Sequence, residues 1–246
     1  LARKRIERIE RTERQVEIVP DLKMIFGPKN DEQKELLRTI SESTITFVTG
    51  SPGSGKSTVS IGYSLTQLIR EKYKQVIITR PIVEAGNGSD RIGLLPGELS
   101  EKVRVYFAPI FAIISKLVNE DTLKNLTKGN GNAKIITMPI AFMRGWSFEN
   151  SIMIMDEAQN STPEQVKLFL TRLGEGSKAI LIGDENQSDI SPDTNGLEDG
   201  ISLLSGVNGI SHIHLSDECI FRHPIIRDIE RRYNARRQSM RKDTYP

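Results

Sequence analysis

The run Gly50-Ser51-Pro52-Gly53-Ser54-Gly55-Lys56-Ser57 constrains this chain more than any other segment. It matches G-x-x-x-x-G-K-[ST], and it stands where that pattern has physical meaning, between an apolar, β-branched run (44–49) and a segment of helical periodicity (56–71). Gly50, Gly53 and Gly55 allow backbone angles that turn successive N–H groups inward, a cradle for phosphates. The following helix points the positive end of its dipole at the same spot. Lys56 supplies a point charge for β- and γ-phosphates and Ser57 a hydroxyl suited to Mg²⁺, while Ser51, Pro52, Ser54 and Thr58 complete the cradle. The plain alternative is a glycine-rich turn with a chance lysine.

Elsewhere short strands alternate with helices. An opening helix is expected at 31–41, with Leu36, Leu37 and Ile40 on one face. A strand (75–79), a Gly/Pro-rich connection (80–97) and a helical region (98–126) follow the helix at 56–71. A glycine break at 128–132 precedes a strand at 133–137, and strands at 151–155 and 178–182 flank a helix at 162–173. A strand at 210–215 and an Arg-rich helix at 224–241 close the chain. Strands this short and this apolar, separated by helices, predict a three-layer α/β fold whose mostly parallel central sheet is covered on both faces.

Two strand ends carry further polar clusters. S-I-M-I-M-D-E-A-Q (151–159) delivers Asp156 and Glu157 at a C-terminal strand end, the edge where open α/β sheets bind ligands. Asp156 suits the Mg²⁺ shell, and Glu157 suits polarising a water for attack on a γ-phosphate. The alternative is an acidic helix N-terminus favoured by the dipole. A-I-L-I-G-D-E-N-Q (179–187) ends in Asp184 and Gln187, and a neutral amide near a γ-phosphate can orient water. Taken alone, Gly-Asp after a strand is also a common turn.

Composition narrows the chemistry. One cysteine, Cys219, excludes an intrachain disulfide and a thiolate metal cluster. His212 and His214 alternate on one strand face, a metal-compatible spacing without a third ligand. No apolar stretch approaches the ~18 residues of a membrane span, and the N-terminus is charged, so a cytoplasmic protein without membrane contact is expected. Net charge is +2, yet residues 1–14 hold six Lys/Arg against three Glu, and residues 220–246 eight against three acids, leaving the body at −6. Basic ends on an acidic body point to a polyanionic partner, with solvated terminal helices as the alternative. Trp146, the lone tryptophan, serves either packing or base stacking.

A guanine-reading Asn/Thr-Lys-x-Asp element is missing from 160–246, so adenine is the expected base. Gln33 lies just ahead of the phosphate-loop strand, and its amide matches the N6/N7 edge of adenine. An exposed helix glutamine is the alternative.

Over roughly residues 25–235 the chain resembles the PhoH-like family of phosphate-starvation-inducible ATP-binding proteins. The resemblance rests on the phosphate loop, T-R-P-I-V-E-A-G (79–86) with I-G-L-L-P-G-E-L-S-E-K-V (92–103), A-F-M-R-G-W-S-F-E-N (141–150), M-D-E-A-Q-N-S-T-P-E-Q-V-K-L-F-L-T-R-L-G (155–174), G-D-E-N-Q-S-D (183–189) and F-R-H-P (221–224). It implies a P-loop NTPase fold like one RecA-type domain of the superfamily 1 helicases, with ATP and Mg²⁺ bound, ATP hydrolysed, and RNA or single-stranded DNA as partner. It also implies adenine reading by Gln33, coupling of phosphate to nucleic acid by Gln187, and transition-state stabilisation by Arg222. The segment 86–92 is longer than usual for the family, and Trp146-Ser147 stands where Arg-Thr is common. The expected organisation is a charged extension (1–20), the NTPase domain (21–223) and a basic helix and tail (224–246).

Related helicases close ATP between two RecA-like domains, and 246 residues hold one. The expectation is therefore a homo-oligomer, a hexameric ring being one form, with Arg222, Arg80 or Arg144 supplied across an interface. A small-molecule or nucleotide kinase and a non-hydrolysing ATP-gated scaffold are the competing readings.

Overall fold

The computed structural model describes residues 27–81, 105–127, 133–185, 187–190 and 195–216, with the single positions 225, 229, 232 and 236. Its order is α1 (Asp31–Glu42), β1 (Ile45–Gly50), α2 (Lys56–Ile69), β2 (Gln75–Thr79), α3 (Ala108–Leu117), α4 (Glu120–Thr127), β3 (Ile135–Thr137), β4 (Ser151–Met155), α5 (Pro163–Leu170), β5 (Lys178–Ile182), α6 (Gly196–Leu203) and β6 (Ile210–Leu215). Short 3₁₀ turns occupy Ile140–Met143 and Ala158–Asn160.

The six strands form one sheet in the order β3-β2-β4-β5-β1-β6, every pairing parallel. Alternation along each strand sorts side chains between the two faces. Val48, Ile78, Ile152, Ile154 and Ile180 pack on one side with Leu36 and Ile40 of α1, Val59 and Leu65 of α2, and Ile110 and Ile114 of α3. Phe47, Ile77, Met153, Met155 and Leu181 pack on the other with Ile140, Phe148, Val166 and Phe169 of α5, and Leu197 of α6. Both faces are thus apolar, which is why the strands read as continuous hydrophobic runs. The fold is a three-layer α/β domain with an all-parallel central sheet among the described strands.

Several boundaries differ from expectation. Within the described part of the expected helical region 98–126, α3 and α4 are separate helices, because Val118 is extended and the Asn119 side chain accepts from Thr122 N at 2.7 Å, starting α4 afresh. α2 stops at Ile69, and Glu71 is left-handed at φ 55°. α6 is an addition to the expected elements; its glycines discourage a helix, but Asn195 Oδ1 accepts from Leu197 N at 3.0 Å and Glu198 N at 3.3 Å and starts it. The extension 1–20, residues 82–104, the glycine break, Cys219 and Arg222 lie outside the described residues, as does most of 224–241. Among the described residues no helix is long and apolar enough to cross a membrane.

Candidate functional site

β1 runs straight into the glycine loop, whose shape only glycine permits at its end. Gly55 has φ +94°, and a Cβ there would lie 2.6 Å from Gln33 Nε2. The loop is knitted to itself. Ser54 Oγ donates to Ser51 O at 2.9 Å, and Lys56 Nζ donates to Gly50 O at 2.5 Å and to Ser51 O at 2.9 Å. The lysine therefore rests on neutral carbonyls, which an anionic oxygen, the stronger acceptor, can replace.

Because β5 lies between β1 and β4, three strand ends open on one cleft of about 220 Å³. Pro52, Gly53, Gly55, Lys56, Ser57 and Thr58 line it from the loop, Asp156 and Glu157 from the end of β4, and Gly183, Asp184 and Gln187 from beyond β5. Gly50, Ser51 and Ser54 lie behind this lining, Ser54 fully buried. The three segments singled out in the sequence thus converge.

Ser57 Oγ donates to Asp156 Oδ1 at 2.9 Å. Asp156 is buried, and burial, with Glu157 next to it, raises its carboxyl above the usual range against the pull of Arg80, Ser57 and Lys56. Glu157 has a left-handed backbone at φ 58°, a conformation rare outside glycine that concentrates at functional sites. Hydroxyl and carboxylate oxygens are the donors a hard cation prefers. Among the described residues no three His, Cys, Asp or Glu side chains gather into a metal cage.

Sequence reasoning missed Gln159. Its side chain is buried, donates through Nε2 to Glu157 Oε2 at 2.7 Å, and accepts through Oε1 from Asp184 N at 3.1 Å. It ties the β4 acid to the turn holding Gln187, whose N–H bonds Asp184 O at 3.0 Å. Only its place two residues after Glu157 signals this.

Gln33 is not the exposed helix glutamine of the alternative. It is 3% exposed, accepts from Lys29 N and donates to Ser54 O, both at 2.9 Å. Its amide is therefore docked against the phosphate loop at Ser54 and Gly55, and Gln33 is not among the residues that line the cleft.

The sequence profile of the family described as "PhoH-like protein" matches residues 25–234. The chain belongs to the PhoH-like family. It is 36% identical over 203 residues to a PhoH-like protein of Bacillus subtilis, covering 82% of this chain and 62% of that one. A Synechocystis PhoH-like protein is 34% identical over 210 residues, with 85% and 62% covered. The chain thus spans about three fifths of the length of these PhoH-like relatives. In fold it is similar to the large terminase of a thermophilic bacteriophage, at a TM-score of 0.54 and 14% identity, covering 84% of this chain and 50% of that one. The same terminase in complex with ADP gives a TM-score of 0.50 at 12% identity, with 82% and 48% covered.

Among the PhoH-like motifs, T-R-P departs from expectation. Arg80 is one of the three arginines expected to reach a neighbouring subunit, but its side chain is 14% exposed and engages Asp156 and Glu157 of its own chain. Arg144 is exposed. Trp146 stacks parallel on buried Phe148 with centroids 5.9 Å apart, so packing claims one face of the ring. His212 Nε2 and His214 Nδ1 lie 2.9 and 3.0 Å from Thr49 Oγ1, which pairs them through a hydroxyl.

Proposed function

We propose that this PhoH-like chain binds ATP with Mg²⁺ in the cleft and hydrolyses it, coupling the cycle to RNA or single-stranded DNA. The observation that carries the reading is the Ser57–Asp156 hydrogen bond with Glu157 next in the chain and Lys56 one residue before Ser57. Ser57 and Asp156 would hold Mg²⁺, which when bound neutralises phosphate charge. Lys56 leaves the carbonyls of Gly50 and Ser51 for the β- and γ-phosphates. The loop N–H groups and the start of α2 hold the rest of the triphosphate. Glu157 accepts the proton of a water aimed at the γ-phosphate, and Gln187, from the turn after the neighbouring strand β5, orients that water.

A copy of the same chain supplies an arginine across an interface, Arg144 or Arg222 being the candidates left once Arg80 is engaged in its own subunit. The basic segments 1–14 and 220–246 meet nucleic-acid phosphates. The test is ATP turnover with and without single-stranded RNA and DNA, on wild type and Glu157→Gln. Wild type turns over and is stimulated by nucleic acid, less so as salt rises, while Glu157→Gln binds ATP without hydrolysing it. Absence of wild-type turnover under all these conditions sinks the proposal.

A further inference from the structure

We propose that Arg80 is the internal counter-ion of the Asp156–Glu157 pair, a positioning residue whose charge keeps a divalent cation from settling on the two carboxylates before the triphosphate arrives. The proposal rests on the reading of the cleft as a Mg²⁺–nucleotide site.

Strand order puts Arg80 in place. β2 pairs with β4, Thr79 opposite Met155, and Asp156 N donates to Thr79 O at 3.0 Å, so the residues just past the two strands are neighbours. Arg80 Nη2 donates to Glu157 Oε1 at 3.2 Å, and Nε lies 3.4 Å from Asp156 Oδ2. The arginine is itself held. Nη1 donates to Tyr106 O at 3.2 Å, the guanidinium stands 5.4 Å from the Tyr106 ring centroid, and Tyr106 Oη donates to Pro81 O.

The division of oxygens gives this contact its meaning. Asp156 offers Oδ1 to Ser57, on the phosphate-loop side, and Oδ2 to Arg80. Glu157 is held on Oε1 by Arg80 and on Oε2 by Gln159. Two adjacent carboxylates and a hydroxyl form a hard-oxygen set that draws divalent cations by itself. A fixed guanidinium offsets one of the two negative charges: at side-chain exposures of 14% for Arg80 and 7% for Asp156 solvent screens that contact little, whereas Glu157, at 45%, is screened more. What remains attracts Mg²⁺ strongly only when phosphate oxygens restore the negative charge. Arg80 thereby makes cation entry depend on nucleotide.

The experiment is Mn²⁺ titration of the nucleotide-free protein, followed by electron paramagnetic resonance. Wild type binds Mn²⁺ weakly alone and far more tightly with ADP. Arg80→Gln binds Mn²⁺ alone about tenfold or more tighter than wild type, Arg80→Lys stays near wild type because it keeps the charge, and Arg80→Gln combined with Glu157→Gln loses the gain. Equal Mn²⁺ affinity in wild type and Arg80→Gln would overturn the proposal, as would a gain that survives in the double variant. Should Arg80→Gln fail to fold, wild type decides alone, since tight Mn²⁺ binding unaffected by ADP also overturns it. Wild-type ATP turnover, measured in parallel, separates the two readings: its absence beside the expected Mn²⁺ pattern removes hydrolysis and leaves the counter-ion standing.

Discussion

Gln159 holds Glu157 from behind: its Nε2 donates to Glu157 Oε2 at 2.7 Å while its Oε1 accepts from Asp184 N at 3.1 Å. The amide is buried, so both bonds are formed away from competing water. A hydrogen bond to a charged acceptor is worth about 1.5–3 kcal/mol. Gln159→Ala should therefore lower the ATP turnover number about ten- to a hundredfold. Nucleotide affinity should stay within about threefold, because the residue lies behind Glu157 and away from the phosphate loop. Steady-state kinetics beside a fluorescent-nucleotide titration check it, and a loss confined to affinity contradicts the assignment.

Gln33 joins α1 to the phosphate loop through Ser54 O at 2.9 Å, with Gly55 close against its amide. Gln33→Ala removes that strut and any contact the amide makes with a base. ATP affinity should fall about tenfold, the worth of one hydrogen bond. If the amide reads adenine, GTP affinity falls less, and competition between the two nucleotides measures the difference. Equal losses for both would assign Gln33 to loop shape alone.

How far these features can be read from the sequence depends on whether their chemistry is contiguous. The phosphate loop, the Asp156–Glu157 couple and the apolar strands are legible because each is a local pattern with one physical solution. Gln33 is half legible: it shares a buried face with Leu36 and Ile40 at helical spacing, but its partner Ser54 is 21 residues away. Arg80 reads from the sequence as reaching outward because its contact with Asp156 depends on β2 lying beside β4, an adjacency set by sheet order and absent from linear spacing. α6 escapes a sequence reading because two glycines in eight residues read as a breaker, whereas the Asn195 cap and packing of Leu197 against the second core decide it.

Lys178 ends α1 from a distance. Its Nζ donates to Ile40 O at 3.0 Å, to Ser41 O at 2.9 Å and to Ser43 O, three carbonyls at or just past the helix C-terminus. A cation there answers both the unpaired carbonyls and the negative end of the dipole. Lys178→Ala should destabilise the fold by about 1–3 kcal/mol. Lys178→Met keeps most of the apolar stem, so a similar loss would locate the effect in the charge. Denaturant unfolding gives the numbers, and a change below about 0.5 kcal/mol argues against the cap.

His212 sits on edge strand β6 against Thr49, with Glu185 at 3.9 Å and His214 sharing the same hydroxyl. Burial lowers its imidazole below the usual value, Glu185 opposes that shift, and His214 adds to it. A base whose folded value lies below its unfolded one binds fewer protons in the native state, so its contribution to stability is full above the unfolded value, 6.5, and is lost as pH falls through the folded value. Wild type should therefore lose thermal stability between about pH 7.5 and about pH 5 more steeply than His212→Gln, which keeps a polar partner for Thr49 and does not titrate. The side chain is 37% exposed, so the difference between the two slopes is small. Melting temperatures at matched ionic strength across that range check it, and a variant that is more acid-sensitive than wild type would reverse the sign assigned to this residue.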